Sequence, residues 1–284
     1  MPLPRRLLPL LALLPGCSPL SLANALTPRG DVEVRPDLRF GDGPRALLDL
    51  YAPAGLGPQA PLLVFFYGGR WRDGSRQDYP FVARPLAELG CLVAVPDYRL
   101  FPEVRWPAFA EDGARAVSWL LDGPGAGRPV FLMGHSAGAF IALALATDPR
   151  WLGEGRRRLR GAIGLAGPYD FQPDEPGDVA TFAPAPGGRA RAAPADPAAL
   201  SGAPPLLLLH GLADETVSPE RSRELAALAR AAGVPVRLIE YPGVGHIGII
   251  ASLAAPLRGL GLAGAPVLAD IRAFLDAPAP APRA

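Results

Sequence analysis

The chain has 284 residues, 49% of them hydrophobic and 19% charged, which allows one large core or two small ones at ~150 residues per domain and excludes wholesale disorder. Its formal net charge is +1, with no basic stripe interleaved with aromatics, so nucleic acid is not an expected partner. All 28 basic residues are arginine, which excludes lysine Schiff bases, pyridoxal phosphate attachment and a lysine-bearing phosphate loop.

The first residues carry Arg5 and Arg6, followed by an apolar run from Leu7 to Leu14 broken only by Pro9. That run is far shorter than the ~20 residues of a membrane span and predicts an export signal over 1–16. Leu14-Pro15-Gly16-Cys17 resembles a bacterial lipobox. Cys17 is therefore the expected lipidation site, with the protein anchored by lipid to the cell envelope and otherwise free of membrane. Cleavage after Ala23-Asn24-Ala25, giving a soluble periplasmic or secreted protein, is the alternative. Residues 17–30 read as a linker, 31–277 as one domain and 278–284 as a flexible tail.

Within the domain, Val32–Val34 and Ala46–Tyr51 come first with no helix between them and read as an antiparallel pair. The runs Leu62–Phe66, Cys91–Val95, Val130–Met133, Ala162–Leu165 and Leu206–Leu209 are nearly continuously apolar, as strands buried on both faces are. Cys91 in the second of them reads as a small core residue. Val236–Tyr241 is mixed in polarity and nearer an edge. Helices are expected over Pro107–Leu121, over Ala137–Thr147, which Asp148-Pro149 ends, and between Ser218-Pro219 and Gly233. The alternation predicts an α/β fold, a mostly parallel sheet of about eight strands with helices on both faces. Residues 171–203, rich in Pro, Gly and Asp, break the rhythm and read as a cap-like excursion.

Gly134-His135-Ser136-Ala137-Gly138 is a Gly-x-Ser-x-Gly sequence lying between a strand and a helix, the setting of a nucleophile elbow. The turn lifts the Ser136 hydroxyl above the sheet and points the helix N-terminus, with the Ala137 N–H, at a developing oxyanion. A glycine-rich turn with an idle serine is the plainer alternative. A nucleophilic serine needs a base, and only His135, His210 and His246 are available. His135 adjoins Ser136 and diverges from it on a sharp turn, and His210 ends an apolar run, so both read as structural. His246, in the loop Gly243–Gly248 after the last strand, is the expected base. Asp214, after the strand ending at His210, is the expected carboxylate; Glu215 and Asp170 are alternatives, and an Asx-turn is its plainer role. No two histidines stand at i, i+4 and there is no Cys-x-x-Cys, so neither metal nor cofactor is expected.

Tyr67-Gly68-Gly69-Arg70-Trp71 follows an early strand, and its paired glycines allow backbone N–H groups to approach an oxyanion. These residues, with Asp97-Tyr98-Arg99-Leu100-Phe101-Pro102-Glu103, the elbow, Asp214 and His246, resemble the α/β-hydrolase-fold carboxylesterases, close to the hormone-sensitive-lipase-like and feruloyl-esterase-like bacterial esterases. Tyr67 stands where their oxyanion motif has histidine, and Arg70 where it has a third glycine. The resemblance implies hydrolysis of small carboxylic esters through an acyl-enzyme on Ser136, with His246 as base, Asp214 as its partner and oxyanion donors at Gly69, Arg70 and Ala137. Aryl formamidases and exopeptidases share this elbow, and an inactive exported binding module is the reading without chemistry. Asp97, Arg99 and Glu103 are expected to form a structural ion-pair and turn cluster. Arg70, Arg72 and Arg76 either form a solvated arginine-rich loop or present positive charge at the site mouth to a substrate with an anionic group.

Overall fold

In a computed structural model, residues 19–169, 180–182 and 200–277 are described. Four inner strands, β3 (Leu62–Phe66), β5 (Val130–His135), β6 (Leu159–Leu165) and β7 (Leu206–Gly211), are buried along almost their whole length. Their runs of Leu, Val, Ile and Phe have no wet face, which is the composition a parallel sheet covered on both sides requires. β1 (Val32–Arg39), β2 (Leu47–Pro53), β4 (Leu92–Pro96) and β8 (Val236–Tyr241) complete an eight-stranded sheet in the order β1-β2-β4-β3-β5-β6-β7-β8. β1–β2 and β2–β4 pair antiparallel, and every pair from β4 to β8 is parallel.

β1 runs five residues beyond the expected Val34. Pro36 sits inside it, as an edge strand permits, and the register shifts between Arg35 and Leu38. Nine helices among the described residues accompany the sheet: α1 (Pro19–Leu26), α2 (Pro80–Ala87), α3 (Ala108–Asp122), α4 (Ala137–Thr147), α5 (Pro149–Leu152), α6 (Glu220–Ala231), α7 (His246–Ala251), α8 (Ala255–Gly259) and α9 (Val267–Leu275). α4 is buried on every side, as its unbroken apolar sequence demands: it lies on β5 and β6 with α3 and α5 packed against it. From α9, Phe274 meets Phe131 and fills the space above Gly161.

The stretch expected as a linker, 17–30, is in its described part α1. Asn24 holds it to the domain, donating to the Asp78 carbonyl and accepting from the Phe81 N–H. Cys17 and the leader lie outside the described residues, as do Asp170, most of 171–203 and the tail. Cys91 is buried in the core, and burial pushes its thiol up to about 11.

After β3 the chain turns to β4 on one side, and then to β5 on the other. At such a reversal the loops leaving adjacent strand ends diverge and open a crevice at the carboxyl edge of the sheet. The loops after β3, β5, β7 and β8 carry Gly69, Arg70, Ser136, Asp214 and His246.

Candidate active site

Ser136 occupies the turn between β5 and α4 with φ 54° and ψ −122°, a conformation an L-residue adopts only under constraint. The constraint is steric. A Cβ at Gly134 would come within 2.2 Å of the Gly138 carbonyl, and a Cβ at Gly138 within 2.1 Å of the Phe66 carbonyl. The Ser136 N–H is tied to the Leu165 carbonyl at 2.9 Å. Its hydroxyl stands at the N-terminus of α4, whose first N–H groups have no partner within the helix.

His246 Nε2 lies 2.9 Å from Ser136 Oγ, and its Nδ1 lies 2.7 Å from Asp214 Oδ2. A carboxylate oxygen only accepts, so Nδ1 carries the proton and Nε2 is left to accept from the serine hydroxyl. Three residues distant in sequence thus form one hydrogen-bonded line. Glu215 is exposed, and Asp214 already fills the place on His246 that it would need.

Asp214 also makes the Asx-turn. Its Oδ1 accepts from the N–H groups of Thr216 at 2.9 Å and Val217 at 2.8 Å. The two roles coexist because each uses a different oxygen. Burial alone would raise the pKa of this carboxyl. Hydrogen bonds from His210, His246 and the Val217 N–H outweigh burial and hold it well below the usual carboxylate range.

Of the other two histidines, His210 is bonded at both ring nitrogens and His135 at Nε2, as structural residues are, and both reach the site. His135 Nε2–H donates to the His246 carbonyl at 3.0 Å, and the two rings lie 4.8 Å apart. Burial, and then the neighbouring His246, lower its pKa to about 3, so it stays neutral. His210 lies beneath Asp214, its Nε2 3.3 Å from Oδ2.

On the opposite side, Gly68 lies against the elbow: a Cβ there would meet Ser136 Cβ at 3.1 Å. Gly69, Arg70 and Trp71 follow with φ of 120°, 51° and 58°. Left-handed backbone at two non-glycine residues costs roughly 1–2 kcal/mol each, so something must hold this loop. Tyr67 does so in the place of the family histidine. It is buried between Tyr79 and Tyr98, donates to Asp97 Oδ1 at 2.8 Å and accepts from Arg45 at 2.7 Å, while the Tyr98 hydroxyl donates to the Tyr67 carbonyl at 2.9 Å.

Two expectations about charge are corrected. Arg76 is not at the mouth. It is 5% exposed beneath the loop, where its N–H groups bond Asp49, Asp97 and Asp37. Three carboxylates from β1, β2 and the end of β4 converge there, and a single guanidinium fork satisfies them. Asp97, Arg99 and Glu103 do not form one cluster either: Asp97 belongs to Arg76, whereas Arg99 grips the buried Asp112 of α3 through its backbone N–H, Nε and a terminal nitrogen. Arg72 lies over the Phe101 ring at 4.1 Å and donates to Thr181.

Sequence reasoning passed over the aromatic cluster of Trp71, Trp106, Phe109, Phe140 and Phe182, packed at centroid distances of 4.8–6.0 Å. Each residue alone reads as core. The available signal was their position, Trp71 beside the paired glycines and Phe140 one helical turn after Ser136. Among the described residues no group of three or more His, Cys, Asp or Glu could hold a metal, and no helix is long and apolar enough to cross a membrane.

The probable isoprenylcysteine alpha-carbonyl methylesterase ICME of Oryza sativa subsp. japonica is 30% identical over 250 residues, covering 78% of this chain and 59% of its own length. Esterase LipC of Mycobacterium tuberculosis is 32% identical over 235 residues, 73% of this chain and 58% of its own. This chain therefore spans less than two thirds of either relative. An esterase from Pyrobaculum calidifontis shares the fold with a TM-score of 0.70 at 24% identity, over 91% of this chain and 89% of that one. A family model described as alpha/beta hydrolase fold matches residues 63–249, from β3 with its glycine loop through the elbow to Asp214 and His246, and the chain belongs to that family.

Proposed function

We propose that the protein hydrolyses carboxylic esters by acyl transfer through Ser136. The observation that carries this reading is the line Ser136 Oγ–His246 Nε2–Nδ1–Asp214 Oδ2, with contacts of 2.9 and 2.7 Å. As Ser136 Oγ attacks the ester carbonyl, its proton passes to His246 Nε2, and Asp214 stabilises the resulting imidazolium. The negative carbonyl oxygen is held by the N–H groups of Ala137 and of Gly69 and Arg70. His246 returns the proton to the departing alcohol. A water, activated by the same imidazole, then releases the acid from Ser136.

The aromatic cluster beside Trp71 and Phe140 supports a short acyl or small aryl group, because rings already packed together leave little room for a long chain. The experiment is a fluorophosphonate probe followed by peptide mapping, with a panel of p-nitrophenyl esters of graded acyl length. The expected result is a single adduct on Ser136 and turnover falling as the acyl chain lengthens. A folded protein that takes no label is the inactive binding module. A labelled protein that prefers aryl formamides or aminoacyl amides to esters is a formamidase or an exopeptidase. We further propose export with a lipid on Cys17, supported by Arg5, Arg6 and the Leu14–Cys17 sequence; Cys17→Ser is expected to abolish incorporation of labelled palmitate.

A further inference from the structure

Asp214 sits between two imidazoles. His246 reaches Oδ2 from the side of Ser136, and His210 Nε2 stands 3.3 Å from the same oxygen on the other side. His210 and the Asp214 side chain are both fully buried. The ring of His210 is locked in one tautomer. Its Nε2 faces the Val217 carbonyl at 2.9 Å, which only accepts, so Nε2 carries the proton. Its Nδ1 therefore accepts from the Ser222 hydroxyl at 2.7 Å. Ser222, on α6, is itself fully buried. The Nε2–H thus lies between the Val217 carbonyl and Oδ2, and the bond to Ser222 at the opposite edge holds the ring in place.

We infer that His210 is a positioning residue: held in its tautomer by the Val217 carbonyl and in its orientation by Ser222, it supplies Asp214 Oδ2 with a second N–H and helps to hold the carboxylate in the plane that aims His246 at Ser136. Oδ1 is anchored by the turn N–H groups of Thr216 and Val217. A donor on Oδ2 from outside the turn gives the second oxygen an anchor besides His246, so the carboxylate is held at both ends. His210 touches neither Ser136 nor the reacting ester, so it acts only through Asp214. This inference rests on the acyl-transfer reading above.

The test compares two amide side chains. In His210→Gln the amide nitrogen reaches the place of Nε2 and can donate to both Val217 and Asp214. In His210→Asn it reaches only the place of Nδ1, beside Ser222. Turnover of p-nitrophenyl acetate is measured per active site counted by end-point fluorophosphonate labelling, so that misfolded protein does not enter the rate. His210→Asn is expected to lower kcat on the order of 10- to 100-fold, the scale of a misplaced group, with KM within about 2-fold, and His210→Gln to recover most of the loss. A residue needed only for folding would reduce the number of labelled sites and leave kcat per site unchanged in both variants. That result overturns the inference, as does a Gln variant as slow as Asn. If neither variant folds, Ser222→Ala decides. Without its anchor at Nδ1 the His210 ring is free to tilt away from Oδ2, which is expected to give a several-fold lower kcat at unchanged KM, and an unaltered kcat overturns the inference. A wild-type protein without label at Ser136 removes the acyl-transfer reading itself; a labelled wild type with wild-type turnover in His210→Asn removes the role of His210 alone.

Discussion

On the oxyanion side of Ser136, residues 67–76 hold two left-handed non-glycine residues, and an ion cluster lies beneath them: buried Arg76, Asp49 and Asp97 with the exposed Asp37 at its rim, joined through Tyr67 to Arg45. On the acid–base side, residues 210–217 and 244–247 contain a single buried carboxylate ringed by N–H groups of His210, His246 and turn backbone. The first side opposes strain with opposed full charges, which are strong in a dry interior and costly if one is removed. The second gathers weaker donors around one charge whose basicity the proposed chemistry needs. A compensating cation beside Asp214 would weaken its support of the imidazolium, and among the described residues none of its hydrogen-bonding partners is an arginine.

The largest break in this comparison is catalytic. Ser136→Ala and His246→Ala are expected to lower kcat for p-nitrophenyl acetate by roughly 10^4- to 10^6-fold, with Asp214→Asn costing less, because residues acting as one relay do not contribute additively. Urea midpoints should stay near wild type for Ser136→Ala, since the hydroxyl contributes little to packing. A loss of only tenfold in Ser136→Ala would show that the serine is not the nucleophile.

Next in size is the ion cluster. Arg76→Met leaves Asp49 and Asp97 buried without their cation and is expected to lower unfolding free energy by about 3–5 kcal/mol in urea titrations. The comparison sharpens if the surviving folded fraction also loses kcat, since Asp97 holds Tyr67 and Tyr67 begins the oxyanion loop. A change below 1 kcal/mol would mean that the cluster is no stronger than a surface pair.

The same contrast explains what could be read from sequence. Leu62–Phe66 and Val236–Tyr241 match their strands to the residue, and Ala137–Thr147 matches its helix, because these signals are local: unbroken apolarity, alternation, and a proline stop. The elbow was legible for the same reason, since Gly134 and Gly138 are forced by contacts within five residues and the end of β3. Arg76 was not legible. Its three carboxylates come from positions 37, 49 and 97, and nothing in an arginine-rich loop says which guanidinium turns inward. His210 reads as structural from its place at the end of an apolar run, and it does bond Val217; what the sequence does not show is that the turn folds its imidazole back under Asp214. The linker reading of 17–30 failed on Asn24, whose amide finds its partners 54 and 57 residues away.

A third prediction separates two groups of the acid–base side by pH. His135 is neutral in the fold with a pKa of about 3, against an ordinary value of 6.5. The unfolded chain therefore binds a proton that the folded chain refuses, and stability falls as pH drops below 6.5, by up to 1.36 kcal/mol per pH unit until about pH 3. Between pH 7.5 and 5 this residue alone is expected to remove about 2 kcal/mol of unfolding free energy, and His135→Gln to flatten that slope. Asp214 acts in a lower window. Its folded pKa is depressed, so its contribution is complete above the ordinary carboxylate range and lost only as pH falls below it. Equal slopes between pH 7.5 and 5 in wild type and His135→Gln would place the acid sensitivity elsewhere.

The smallest effect concerns the strain itself. Arg70, at φ 51°, is expected to donate its N–H to the oxyanion whatever its side chain, yet only glycine adopts that backbone without cost. Arg70→Gly and Arg70→Ala both discard the guanidinium and every contact it makes, so the difference between them isolates the backbone. The glycine variant is expected to be more stable than the alanine variant by about 1 kcal/mol in urea, the reverse of their order in a helix or strand. Both should keep wild-type kcat/KM on neutral esters. If either loses rate on carboxylate-bearing esters alone, the Arg70 side chain has a second task, selecting anionic substrates, and the strained position is occupied by arginine for its charge rather than in spite of its backbone. If alanine proves the more stable of the two, the loop relaxes in solution, and the ion cluster beneath it is holding something other than this strain.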